Sequence, residues 1–152
     1  MTALEGLARA SLFEGFTETG LKIFAAIAVE RALAPGASLF AEGEAGEALF
    51  VVKSGALRLV SAGREAGLVG AGEHVGGVAL LAPTVHLVSA VAAGPTELIE
   101  IGRRAFFKTA QEKPQACLKL SLLVAAELAK RFEESQVLLR DALARATDGA
   151  RD

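Results

Sequence analysis

Hydrophobic residues recur along this chain with two different periods, and the change between them divides it into three parts. An apolar run around Leu4 to Phe13 predicts a short helix. Thr17 is placed to cap a second helix, whose residues Leu21, Phe24, Ala25 and Ala28 fall at the i, i+3, i+4, i+7 spacing of one buried face. From Val29 the period shortens: β-rich runs alternate with turn residues every eight to twelve positions or fewer, the pattern of an all-β sandwich or barrel. Pro35-Gly36 separates Val29–Leu33 from Ser38–Ala41, and Glu42-Gly43-Glu44-Ala45-Gly46 separates that run from Leu49–Lys53. Ser54-Gly55 leads into Leu57–Ser61, followed by Ala62-Gly63-Arg64 and Gly70-Ala71-Gly72. The last two predicted strands, Val85–Ala92 and Thr96–Ile101, join across Gly94-Pro95, which makes about eight strands over residues 29–101.

After Gly102 the helical period returns. Residues 103–111 predict a short amphipathic helix carrying Phe106 and Phe107, and Pro114 suits the first turn of a long helix over 114–146. Along it Leu118, Leu122, Ala125, Ala129, Phe132, Gln136, Leu139, Leu143 and Ala146 recur at alternating spacings of four and three, the seam of a coiled coil. Either the helix packs on its own β-domain or the seam pairs with a second copy. At ~1.5 Å per residue the helix is ~50 Å long, more than a domain of this size covers, which favours a homodimer. Gln136 then sets register at some cost in stability, and parallel and antiparallel pairing both stay open. Thr147-Asp148-Gly149 predicts the helix end and a frayed tail.

At 152 residues the default is one domain, 1–152, with a real core. It is 52% hydrophobic with eight Phe and no Trp or Tyr, so that core must be built from Leu, Val, Ala and Phe. A formal charge of −2 supplies no general attraction to nucleic acid or an anionic membrane, and neither is expected as a partner. Cys117 is alone, so no internal disulfide forms, and spaced Cys/His sets for zinc are absent. Glu5, Arg9 and Glu14 interrupt what an export signal would need, so a cytoplasmic location is expected. The longest run without Asp, Glu, Lys or Arg, His74 to Thr96, is broken by Pro83, Pro95 and glycines and reads as strands and turns. No serine, nor Cys117, lies in a nucleophile motif, and His74 and His86 do not make a metal set, so neither catalysis nor a required cofactor is expected. His74, beside Glu73 in a Gly-rich turn, reads as a solvated loop residue, and Arg103-Arg104 as a solvated helix start.

Four segments in order carry a family resemblance: Ser11-Leu12-Phe13-Glu14-Gly15-Phe16; Pro35-Gly36 with Phe40-Ala41-Glu42-Gly43-Glu44; Leu49-Phe50-Val51-Val52-Lys53-Ser54-Gly55; and Gly70-Ala71-Gly72-Glu73-His74-Val75-Gly76. Over roughly Leu12 to Leu139 the chain resembles the cyclic-nucleotide-binding domain of bacterial transcription activators, cyclic-AMP-dependent kinase regulatory subunits and gated channels. The resemblance implies an α+β, mainly β fold: a double-stranded β-helix, or jelly roll, flanked by N-terminal helices and the long C-terminal helix. It also implies a phosphate-binding segment, F-G-E-L-A-L-L followed after a gap by P-R-x-A-T-V. Here that segment stands as Val75-Gly76-Gly77-Val78-Ala79-Leu80-Leu81 and Val85-His86-Leu87-Val88-Ser89-Ala90. Gly77 replaces the acid that accepts from the ribose hydroxyl, and His86 replaces the arginine that clamps the phosphate.

The candidate ligand residues are therefore Gly76, Gly77, Val78, Ala79, His86 and Ser89, with main-chain N–H groups opening a short helix at Val78-Ala79-Leu80. Losing two charge-assisted contacts costs about 3–6 kcal/mol, or ~10²–10⁴ in affinity, which takes micromolar binding towards millimolar. His86 either grips phosphate when protonated, with a pH dependence around its ordinary pKa near 6.5, or makes one structural hydrogen bond on a strand. Two functions share this scaffold. One is a sensor of cyclic AMP, cyclic GMP or another small anion that shifts the C-terminal helix. The other is a degenerate domain kept for dimerisation or for docking an unidentified protein. A transcription activator of the family continues into a helix-turn-helix of roughly 60–70 residues; with the last residue at Asp152, DNA binding is not expected.

Overall fold

The computed structural model describes residues 1–151. Both N-terminal helices begin on a threonine cap. In α1 (Ala3–Ala8) Thr2 Oγ1 accepts from Glu5 N at 3.2 Å, and in α2 (Glu18–Ile27) Thr17 Oγ1 accepts from Gly20 N at 3.1 Å, each satisfying one orphan donor of the first turn. A single 3-10 turn at Ser11–Phe13 lies between them, so the run predicted as one helix bends at Ala10.

The middle of the chain folds into ten strands: β1 (Val29–Leu33), β2 (Ser38–Phe40), β3 (Ala45–Gly46), β4 (Ala48–Ser54), β5 (Ala56–Ser61), β6 (Arg64–Gly70), β7 (His74–Val75), β8 (Thr84–Val85), β9 (Ser89–Ala92) and β10 (Thr96–Gly102). They form antiparallel sheets in the orders β1-β10-β4-β7 and β2-β9-β5-β6, with β3 and β8 paired apart. This is the expected jelly roll with two more strands, the surplus being two-residue pairings too short to leave an alternating pattern. The predicted strand Val85–Ala92 is divided in the structure: His86, Leu87 and Val88 belong to no strand.

At the β4–β5 turn, Gly55 has φ 82°, and a Cβ there would come 2.3 Å from Pro95 O, so glycine is required by conformation and by space. α3 (Gly77–Leu81) interrupts the roll, and α4 (Arg103–Glu112) and α5 (Pro114–Arg151) close the chain.

The main core lies where the helices meet one face of the roll. Phe13, Phe24 and Phe106 are buried there with Leu7, Leu49, Val51, Leu80, Ile99, Ile101, Leu120 and Val124, and the Phe13 and Phe24 rings meet edge to face at 5.6 Å. Two smaller clusters fill the roll: Phe40, Ala48, Phe50 and Ala90, then Val52, Leu57, Val69 and Leu98.

α5 buries Cys117, Leu120 and Val124 against the roll, and from Ala129 to Gly149 every residue is exposed. The predicted stop at Thr147-Asp148-Gly149 is absent. Thr147 Oγ1 donates to Leu143 O at 2.9 Å, and the helix runs on to Arg151; Asp152, the end of the predicted tail, lies outside the described residues.

Candidate functional site

Residues 74–92 run from β7 through α3 and β8 to β9, and three anchors hold them. The first is Gly76, at φ 88°, capping α3 from the left-handed region. A Cβ at Gly76 would lie 2.4 Å from Ala48 O, so the chain can turn against β4 only because that position has no side chain.

The second anchor is Arg103. Its Nη1 donates to Gly46 O at 2.9 Å, Ala79 O at 2.9 Å and Ala82 O at 3.2 Å. The guanidinium caps the carbonyl end of α3, where the helix dipole favours a cation, and ties it to β3. Arg103 is thus half-buried and bonded within the fold, which corrects the reading of it as a solvated helix start; Arg104 is exposed.

The third anchor is the loop after β2. His86 N donates to Glu44 O and Gly43 N to His86 O, both at 2.8 Å, while Glu42 N donates to Ser89 Oγ at 2.9 Å. Gly46 pairs with Thr84 and Ala45 with Val85.

These anchors bring the six candidate ligand residues onto one segment but leave the two side chains already engaged. The His86 imidazole lies flat on Phe40, with centroids 3.6 Å apart and planes 6° from parallel. Ser89 Oγ is taken by the Glu42 amide. Desolvation lowers the His86 pKa below its ordinary 6.5, and nearby Glu44 only partly opposes this, so the ring is neutral at pH 7. Gly77, Val78 and Ala79 start α3, and among the described residues their N–H groups donate to no protein acceptor. Val78 is exposed and Ala79 buried.

A side chain at position 77 would meet α5. An added Cβ there stands 2.9 Å from Val124 Cγ1, so the absence of a side chain at Gly77 lets α5 approach α3. The same contact region holds three residues that sequence reasoning missed or misplaced. His74, read as a solvated loop residue, lies on β7 with its side chain only 10% exposed, and Nε2 is 2.7 Å from Glu127 Oε2. Glu127 in turn pairs with Arg131, one turn further along α5. The i, i+4 spacing of Glu127 and Arg131 was visible in the chain, but no local signal links them to His74, which is 53 positions away from Glu127.

Each predicted seam position is exposed on α5: Leu118, Leu122, Ala125, Ala129, Phe132, Gln136, Leu139, Leu143 and Ala146, with Leu122 at 61% and Phe132 at 64%. The face that packs on the roll is a different one. Among the described residues no helix is long and apolar enough to cross a membrane, and no group of three or more His, Cys, Asp or Glu could hold a metal ion.

A jelly roll interrupted by a short glycine-opened helix, with a long C-terminal helix packed on that insertion, defines a class of small β-rolls. Comparison with known proteins narrows the class. The family model described as "Cyclic nucleotide-binding domain" matches residues 30–113, and the chain belongs to that family. A Cyclic AMP receptor protein from Thermus thermophilus is 30% identical over 84% of this chain and 60% of its own length. The crystal structure of the Thermus thermophilus Catabolite Activator Protein superposes with a TM-score of 0.76 at 30% identity, over 88% of this chain and 62% of the other. The N-terminal domain of a transcriptional regulator from Streptomyces coelicolor gives 0.75 at 25% identity, over 85% and 94%. A Lysophospholipase nte1 from Neurospora crassa is 32% identical over 72% of this chain but only 8% of its own length. The chain thus spans less than a tenth of that lysophospholipase.

Proposed function

We propose that this chain is a non-catalytic regulatory module that binds cyclic AMP and cyclic GMP weakly and couples the 76–82 segment to α5. The observation that carries the coupling is the contact of Gly77 with Val124: with no side chain between them, a displacement of α3 is a displacement against α5. Weak binding follows from what the segment offers. The position of the family's guanidinium holds a neutral imidazole stacked on Phe40, and the position of its acid is Gly77. Arg103 and Arg131, the guanidiniums that adjoin the segment, are bonded to carbonyls and to Glu127. What is left for an anion is the amide edge of α3. In the intact chain a cyclic nucleotide at millimolar concentration raises the melting temperature by a few degrees at most, since stabilisation grows only as the logarithm of ligand over dissociation constant. A cyclic dinucleotide or other small anion that raises it strongly identifies the ligand this altered segment prefers.

A second reading, a dimerisation or docking module with no ligand, is favoured by the exposed stripe on α5. Leu118, Leu122, Phe132, Leu139 and Leu143 form an apolar row along a helix that overhangs its own roll. Pairing with a second copy covers that row. Sedimentation equilibrium on the wild type and on Leu122→Glu/Leu139→Glu tests it: a dimer that dissociates in the double variant supports pairing, and a wild-type monomer at all concentrations rejects it. Both readings place the module in the cytoplasm, without nucleic acid, membrane or an essential cofactor.

A further inference from the structure

His74 stands where the roll meets the long helix. It lies on β7, at the edge of the sheet β1-β10-β4-β7, opposite Val51 of β4 and two residues before the left-handed Gly76 that starts α3. Its ring reaches α5, 2.7 Å from Glu127, and Glu127 holds Arg131 with its other oxygen. A cavity of about 10 Å³ lies at this junction, lined by Gly76, Gly77, Val124 and Leu128 as well as the three polar residues, with room for about one water. Beyond Leu128 every residue of α5 whose exposure is described, Ala129 to Gly149, is exposed, so among the described residues this cluster is the last polar tie to the roll.

We propose that His74, Glu127 and Arg131 form a proton-operated latch that holds the base of α5 against the β7–α3 segment and opens on acidification. The charged groups facing the imidazole are Glu127 and Arg131 from α5 and Glu73 from the turn before β7, while β4 presents the apolar Val51. Burial is the largest influence and disfavours the imidazolium; Glu127 and Glu73 oppose it, and Arg131 reinforces it. The net effect is a pKa below the ordinary 6.5 in the docked state. A proton therefore binds more tightly where His74 is in water. As pH falls from about 6.5 towards the lowered value, the equilibrium moves to the state in which α5 has left β7. No nucleotide enters this regulation, so it stands or falls separately from the sensor reading.

Amide hydrogen exchange in the full chain, corrected for intrinsic rates, tests the latch alongside an NMR titration of the two histidines. Protection of residues 120–131, relative to β10, falls as pH drops from 8 to 5.5, by up to about tenfold for each unit by which docking lowers the His74 pKa. His74→Gln keeps a donor towards Glu127 without titrating in this range, and its α5 protection stays flat. His86→Gln retains the acid response. If the wild-type His74 resonance titrates while protection of 120–131 does not change, or if His74→Gln opens with acid as the wild type does, the latch is refuted.

Discussion

The two ends of the 74–89 segment are built in opposite ways. The His86 end is bound to the roll mostly by main chain: two backbone hydrogen bonds to the loop after β2 and two β-bridge pairs, with Ser89 Oγ accepting from Glu42 N and an imidazole flat on Phe40 added by side chains. The His74 end is bound to α5 by side chains: a buried imidazole on Glu127, and Val124 pressed on a glycine. Main-chain pairing depends little on residue identity, whereas the α5 contacts depend on four particular residues. The His86 end thus presents main chain and a neutral ring, and the end that leads to the helix presents the charged pair Glu127 and Arg131.

The sharpest way to break the comparison is at its hinge. Gly76→Val puts a branched side chain at φ 88° and 2.4 Å from Ala48 O, and it should destabilise the fold by about 3 kcal/mol or more, read as the midpoint of urea unfolding. Next is the strut between β3 and α3: Arg103→Met removes the donor from three carbonyls and should cost about 2 kcal/mol by the same measurement. At the His86 end, His86→Arg restores a permanent cation near the amide edge of α3 and should tighten cyclic AMP by about tenfold in calorimetry. Gly77→Glu should not restore binding without moving α5, because its Cβ already meets Val124. The smallest effect is on pH. Both histidines have lowered pKa values, so between about 6.5 and those values the unfolded chain binds more protons. Stability should be level above pH 7 and decline as pH falls through that window, and His74→Gln/His86→Gln should flatten the decline.

Much of this architecture was legible in the chain. Thr17 as a cap, the glycine-punctuated strands and Gly76-Gly77 opening a helix are local signals, each with its cause within four residues. The exposed apolar row of α5 was legible as well, because a heptad repeat states which face is apolar; its pairing with a second copy stays a proposal. Three features were not. The helix runs through Thr147-Asp148-Gly149, since one threonine bonding back to Leu143 and one glycine do not outweigh the helical turns before them. Arg103 and His74 were read from their neighbours as solvated, and both are fixed by partners more than twenty positions away. The six candidate residues came from the resemblance to the family pattern, but the engagement of His86 with Phe40 depends on β2 and residue 86 meeting in space. Nothing in the spacing of the two residues shows that.

In the reading proposed above, the roll has no unengaged guanidinium and no acid at residues 76–89 and holds cyclic nucleotides by main-chain amides only. Isothermal titration calorimetry of cyclic AMP into the full chain at pH 7.5 tests it most directly. A dissociation constant near millimolar, or no measurable heat, is the predicted result, and a micromolar constant contradicts the account.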